Sequence, residues 1–133
     1  MHLIKLDATG STNLHLKKLW QDGSPIDWTV VWTANQHSGR GQQGSIWHSE
    51  AGKNLTFSVL KYFKNFDIRH QFRLNMAVSL AVFEALQQMD VPQIRVKWPN
   101  DILSGTEKIS GILIENIVKA KERKATVIGI GLN

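Results

Sequence analysis

Residues Ser38 to Gly44 read Ser-Gly-Arg-Gly-Gln-Gln-Gly, with one cation, Arg40, between the first two of three glycines, Gly39, Gly41 and Gly44. Glycine lets a ligand approach the main chain closely. Backbone N–H groups beside a single guanidinium suit a phosphate or a carboxylate. A solvated turn explains the same glycines, so the surroundings of the loop decide between the two.

The loop matches G-x-G-x-x-G literally and follows an expected strand. A dinucleotide site of that kind needs a helix opening at the third glycine, so that its N-terminus faces the pyrophosphate. Ser45-Ile46-Trp47-His48-Ser49-Glu50-Ala51-Gly52 is not helical in pattern. No Gly-Lys-Ser/Thr follows either, which excludes a Walker-type loop. His37, His48 and His70 have no metal-ligand spacing and are given no role.

Four further stretches carry groups able to do chemistry. They are Ser11-Thr12-Asn13, Lys97-Trp98-Pro99-Asn100-Asp101, Lys108-Ile109-Ser110-Gly111-Ile112-Leu113-Ile114-Glu115 and Gly129-Ile130-Gly131-Leu132-Asn133. Ser11 and Thr12 also fit plain helix capping, worth about 1 kcal/mol. Asn100 and Asp101 also fit a turn after Pro99. Trp47 fits a core tryptophan as well as a stacking surface. Trp20, Trp28 and Trp32 are assigned to the core.

The elements that must position these groups follow from periodicity. His2 to Leu6 is an expected strand, Asp7 to Gly10 a turn, and Ser11 or Thr12 caps a helix to Asp22. Trp28 to Ala34 and Leu55 to Tyr62 are rich in β-branched and aromatic residues and predict strands. Asp67 to Met89 predicts a long helix, with Phe72, Met76, Leu80, Phe83 and Leu86 recurring every three or four residues. Ile94 to Trp98 alternates as a half-exposed strand does, and the Trp-Pro-Asn-Asp run ends it. Lys108 to Val118 and Thr126 to Leu132 predict two more strands, joined at a turn carrying Lys119, Lys121, Arg123 and Lys124. Glycines inside them mark a bulge or a close backbone approach. Strands in neighbouring pairs around one long helix favour an α+β domain over an alternating one.

Length and composition set the bounds. The chain has 133 residues, sufficient for one domain with a real core. It has no cysteine, which excludes disulfides, thiolate metal sites and cysteine nucleophiles. No apolar run is long enough to span a bilayer and there is no signal core, so a cytoplasmic, bacterial-type setting is expected. The formal net charge of +5 suits a phosphate-bearing ligand, an acidic protein or nucleic acid. No basic stripe interleaved with aromatics is present, and no nucleic-acid-binding motif.

In their order and spacing the five stretches resemble the catalytic domain of biotin protein ligases (biotin–[acetyl-CoA-carboxylase] ligases). The resemblance runs from about residue 3 to the end. Lys97-Trp98-Pro99-Asn100-Asp101 and Gly39-Arg40-Gly41…Gly44…Trp47 are its most specific parts. It implies an α+β fold, a mixed sheet with flanking helices, shared with class II aminoacyl-tRNA synthetases and lipoate ligases. It implies ATP and biotin as substrates with Mg²⁺, and two steps. Biotin is activated as biotinyl-5′-AMP, then transferred to a lysine of a biotin carboxyl carrier protein.

The resemblance also assigns residues. Lys108 and Arg40 are the expected catalytic groups. Ser11, Thr12, Asn13, Gln36, Gly39, Arg40, Gly41, Gln42, Lys108 and Gly111 are expected to bind biotin. Arg40, Gly44, Trp47, Asn100, Asp101 and Asn133 are expected around ATP and the adenylate, with Asp101 as a Mg²⁺ ligand. Glu115 is only a weak site candidate. Gln42 and Gln43 stand where the family often has basic residues. Family chains continue past the equivalent of Asn133, so residues 1–133 are expected to be a partial catalytic domain, without the DNA-binding domain of repressor-type members. A monomer or a homodimer fits. A lipoate or octanoate ligase and a non-catalytic biotin-binding module are the competing readings.

Overall fold

The computed structural model describes residues 1–23, 25–63, 70–119 and 123–133. Among the described residues the order is β1 (His2–Thr9), α1 (Thr12–Gly23), β2 (Thr29–Gln36), β3 (Gly39–Arg40), β4 (Ile46–Trp47), β5 (Leu55–Tyr62), α2 (Gln71–Gln88), β6 (Ile94–Lys97), β7 (Asp101–Ser104), β8 (Glu107–Lys119) and β9 (Arg123–Leu132). Seven of these strands form one sheet in the order β1-β2-β5-β9-β8-β7-β6, and β3 pairs with β4 separately. The β1–β2 pair is parallel, with α1 as its crossover, and the other described pairs are antiparallel. This is the expected α+β class with a mixed sheet. Among the described residues no helix is long and apolar enough to cross a membrane.

Each face of the sheet has its own helix and core. On one face Leu16 and Trp20 of α1 pack with Val31, Leu60, Ala125 and Val127. On the other, Ile112, Ile114 and Ile128 pack against Leu74, Val78 and Val82 of α2. Strand alternation sends neighbouring residues of β8 and β9 to opposite cores. The repeat that predicts α2 matches its buried stripe only in part: Leu86 is buried and Phe83 half-buried, but Phe72, Met76 and Leu80 are exposed. The helix is apolar around much of its circumference, so spacing alone does not say which stripe meets the sheet.

Other differences have local causes. β1 runs on to Thr9, through the expected turn, because parallel pairing sets Ala8 and Thr9 opposite Asn35 and Gln36. β7 was not expected. The turn at Pro99 and Asn100 is present, but Asp101 already pairs with Lys97 on one side and Gly111 on the other. The Trp98–Pro99 bond is cis. Trp20 is in the core and Trp32 is half-buried, whereas Trp28 is 52% exposed, which corrects its assignment. Residues 67–69 of the expected helix and Lys121 of the basic turn lie outside the described residues.

Asp27 ties the start of β2 to β5. Its carboxylate takes the Lys61 ammonium and accepts from the Tyr62 backbone N–H at 2.8 Å. Burial pushes the Asp27 carboxyl up, but these partners outweigh it and hold the group below its ordinary value. The anchor therefore steadies the fold above the unfolded carboxyl's pKa and is lost as pH falls through the lower folded one.

Leu16 is fully buried where α1 meets three strands. Leu16→Ala is expected to cost about 2–5 kcal/mol of stability. Urea unfolding followed by circular dichroism measures it. A loss below about 1 kcal/mol would place the core elsewhere.

Candidate active site

A cavity of about 240 Å³ lies on the α1 face of the sheet. It is walled by the start of α1, the β3–β4 hairpin, the turn before β7, and strands β5, β8 and β9. The glycine loop is this hairpin. Gly39 pairs with Trp47 and Arg40 with Ile46, and Gln42–Gly44 make a single 3₁₀ turn at the tip. Gly44, at φ +82°, leads into a strand and not a helix, so the dinucleotide geometry is absent. A Cβ at Gly39 would lie 2.4 Å from the Trp47 carbonyl oxygen, so only glycine fits beside that strand. The Gly41 N–H donates to the Ser45 carbonyl at 2.8 Å, so this expected anion donor is engaged within the hairpin.

One end of the cavity is polar and uncharged. Gln36 Oε1 accepts from the Thr12 backbone N–H at 2.9 Å, linking the end of β2 to the start of α1. Ser58 Oγ is 2.7 Å from Thr12 Oγ1 and 2.5 Å from Asn13 Oδ1. Asn13 Nδ2 donates to Glu115 Oε2 at 2.8 Å, and Lys17 Nζ lies 2.5 Å from Glu115 Oε1. Ser11, Thr12, Asn13, Gln36 and Ser58 are all buried. Ser11 Oγ is 3.5 Å from the Leu14 N–H, a weak capping contact that does not account for its burial.

The other end is charged. Lys108 Nζ lies 2.8 Å from Asp101 Oδ1 and 5.4 Å from the centre of the Trp47 ring. Its direction depends on a β-bulge. Ile102 pairs with Ser110 but Leu103 with Lys108, leaving Ile109 unpaired on β7. The extra residue turns Lys108 to the face of Gly111. Its Nζ lies 3.3 Å from where a Gly111 Cβ would be. Arg40 enters from the hairpin and is itself exposed. Asp101 is the one carboxylate among the described lining residues, against these two cations.

Between the two ends the floor is glycine. Gly111 and Gly131 are paired across β8 and β9. A Cβ at Gly131 would lie 2.3 Å from the Trp47 ring, and one at Gly111 2.7 Å from it. The indole thus packs against two residues without side chains, and its buried Nε1 has no hydrogen-bond partner within the described protein.

Of the expected site residues, Ser11, Thr12, Asn13, Gln36, Arg40, Gly41, Gln42, Trp47, Asn100, Asp101, Lys108 and Gly111 line this one cavity. Gly39 packs behind it against Gln36 and Trp47. Gly44 and Asn133 are outside its lining; Asn133 is exposed and donates through Nδ2 to the His48 carbonyl. Asn100 Nδ2 donates to the Ile112 carbonyl at 2.9 Å, which fixes the turn to β8. Thr56 of the lining, and Ser58 and Lys17 behind it, were missed, while Gly129 and Gly131, noted for a close backbone approach, were given no ligand role. The signal for two of them was present: Thr56 and Ser58 are polar residues alternating within an apolar strand. His/Cys/Asp/Glu groups able to form a metal cluster are absent among the described residues.

A second cavity, of about 620 Å³, lies between α2 and the other sheet face. Its walls are apolar, including Phe57, Val59, Leu74 and Ile128, with Lys61 at the edge. It offers almost no polar group to orient a reacting molecule.

Residues 6–133 match the sequence profile of the Biotin/lipoate A/B protein ligase family. The chain is 33% identical over 130 residues to a biotin–[acetyl-CoA-carboxylase] ligase of Paracoccus denitrificans, covering 96% of this chain and 52% of that one. It is 30% identical over 132 residues to the bifunctional ligase/repressor BirA of Bacillus subtilis, covering 99% and 40%. Among solved structures, the biotin protein ligase of Aquifex aeolicus in complex with biotin and ATP superposes with a TM-score of 0.78 at 32% identity, covering 99% of this chain and 52% of that one. The chain thus spans about half the length of these relatives. With the profile extending over nearly every residue, this chain belongs to the biotin/lipoate A/B protein ligase family.

Proposed function

We propose that this chain carries the biotin-activating site of a biotin–[biotin carboxyl-carrier protein] ligase, and that residues 1–133 are part of a longer catalytic unit. One observation supports this most: a single cavity has a buried, uncharged hydrogen-bonding end and a cationic end, with a glycine floor between. Biotin has the matching shape, a ureido head with N–H donors and a carbonyl acceptor, and a carboxylate on a chain. The dithiolane head of lipoate has neither donor nor strong acceptor. It would leave Thr12 Oγ1 and the open lone pair of Gln36 Oε1 buried beside an apolar ring, and unpaired buried polar groups cost about 1–3 kcal/mol each.

The chemistry follows from charge. A biotin carboxylate and the triphosphate of ATP repel each other and must meet. Lys108 exchanges its Asp101 partner for the carboxylate and the α-phosphate, and Arg40 brackets the same anions with its forked donors. A carboxylate oxygen attacks the α-phosphorus, the bond to the bridging oxygen breaks and pyrophosphate leaves. Charge growing on the phosphoryl oxygens is met by positioned cations. The amine of the carrier lysine, having given up its proton, attacks the acyl carbon and AMP departs. Trp47, over Gly111 and Gly131, shields the mixed anhydride from water.

Magnesium fits this donor set as a companion of the nucleotide. It commonly takes one or two carboxylates plus phosphate oxygens. Asp101 supplies one carboxylate, and its contact with Lys108 engages Oδ1. Bound there, the ion would neutralise phosphate charge.

Biotin-dependent ATP–pyrophosphate exchange tests the reading. Exchange with biotin is expected; exchange with lipoate alone would favour a lipoate ligase, and biotin binding without exchange a binding module. Lys108→Ala is expected to lower the exchange rate by about 10²–10³-fold with the fold retained; an unchanged rate would remove Lys108 from the reaction. Gln42→Arg adds a cation at the cavity wall and is expected to slow release of the adenylate. A rapid-filtration assay of labelled adenylate compares the two, and equal release would sink that idea.

A further inference from the structure

We infer that Glu115, a residue outside the cavity lining, is a positioning residue that sets the direction of the hydrogen bonds offered to the ligand's head. The inference rests on the biotin reading of the site and adds the source of its donor–acceptor polarity.

The available protons fix the direction of each hydrogen bond. Asn13 presents an N–H₂ and a carbonyl, and a half-turn of its amide exchanges them. Its Nδ2 lies 2.8 Å from Glu115 Oε2 and 3.4 Å from the Leu113 carbonyl. Both of those partners only accept, so the N–H₂ must face them. Lys17, 2.5 Å from Glu115, balances the carboxylate and holds it in place. Asn13 Oδ1 is thereby turned toward Ser58 Oγ at 2.5 Å. The room for this orientation comes from Gly129, where a Cβ would lie 2.3 Å from Asn13 Oδ1.

Ser58 has one hydroxyl proton and two close oxygen neighbours. Asn13 Oδ1 can only accept, so the Ser58 proton goes there. The 2.7 Å contact between Ser58 Oγ and Thr12 Oγ1 then needs the Thr12 proton. Thr12 Oγ1 is left with both lone pairs for an N–H donor in the cavity. Gln36 Oε1 keeps the Thr12 backbone N–H and one lone pair of its own. With the Asn13 amide reversed, Ser58 would donate to Thr12, and Thr12 to Gln36 at 3.2 Å. Two acceptor sites would be consumed. A carboxylate at position 115 therefore makes this end an acceptor of N–H groups, as a ureido head requires. Ser58 and Asn13 are almost wholly buried, so water does not substitute for the missing partners.

Glu115→Gln is isosteric and lets position 115 offer either an oxygen or an amide. Calorimetry on the 133-residue chain is expected to show biotin Kd raised about tenfold, with ATP Kd unchanged. In a Ser58→Ala background, where the relay is cut, the same substitution is expected to leave biotin Kd unchanged. An unchanged Kd in the single variant, or an equal loss in both backgrounds, overturns the inference. A second readout does not need biotin. The Asn13 side-chain ¹⁵NH₂ signals, assigned with Asn13→Asp, are expected to shift and exchange faster in Glu115→Gln. Identical signals overturn the positioning role. Failure of the unsubstituted chain to bind biotin overturns the functional reading instead, and leaves the amide signals to decide on Glu115.

Discussion

The structure depends on a strip of sheet that carries no side chains. Gly129 and Gly131 on β9 and Gly111 on β8 lie on the face that α1 covers elsewhere. Farther along the same face, Val127 and Leu60 are fully buried against Leu16. Had β9 continued in that pattern, the site would be more core. Instead a Cβ at Gly129 would strike Asn13, and one at Gly131 would strike Trp47, both at 2.3 Å. A packed core tolerates no such overlap without backbone movement. The helix start, the hairpin and the cavity between them are all consequences of that bare strip.

The two ends of the cavity are built by different physics. The uncharged end is buried and its Thr12, Asn13, Gln36 and Ser58 side chains are linked by hydrogen bonds, and such a network has few alternative arrangements. Its members come from α1, β2, β5 and β8, so sheet assembly sets it. The charged end has looser support. Lys108 is 43% exposed and held by one carboxylate, while Arg40 rides on a two-residue strand. Partly exposed ion pairs are weak, about 0–1 kcal/mol, so Lys108 can leave Asp101 at little cost. A rigid head pocket and an adjustable charged end suit a reaction in which the reacting anions change and the head does not.

Much of this was legible in the residues, and the gaps have physical reasons. The strands at Leu55–Tyr62 and after Lys108, the two helices, and the absence of a helix after the glycine loop all follow from local pattern, whereas the pairing of that loop into a β3–β4 hairpin was not read from it. The extension of β1 to Thr9 does not, because Asp7 and Ala8 are poor local strand formers and the pairing with β2 carries the strand past them. β7 hid behind a turn signal that was correct for Pro99 and Asn100 and ended one residue early. The buried stripe of α2 could not be chosen from a helix with several apolar faces. In the site, Gly129 and Gly131 signalled a close approach, but that the neighbours were Asn13 and Trp47 depends on pairings some 80 to 116 residues apart. Ser58 is the clearest miss: its polarity within an apolar strand was a local signal, but its role comes from lying opposite Gly129 in the sheet, which no local pattern encodes.

The bulge at Ile109 decides which face of the sheet Lys108 occupies. Lys108 and Gly111 are three residues apart and in a regular strand would point to opposite faces. Removing one residue from the register would send Lys108 to the α2 side, the face on which Ile112 packs against α2. An ammonium there would be both costly and useless. The irregularity is therefore part of the site, as much as the side chain it redirects. It is also anchored: the Asn133 N–H donates to the Ile109 carbonyl at 2.8 Å, giving the looped-out residue a partner that β7 cannot. Asn133, though outside the cavity lining, thus bears on the site through the backbone, by holding open the bulge from which Lys108 reaches Asp101.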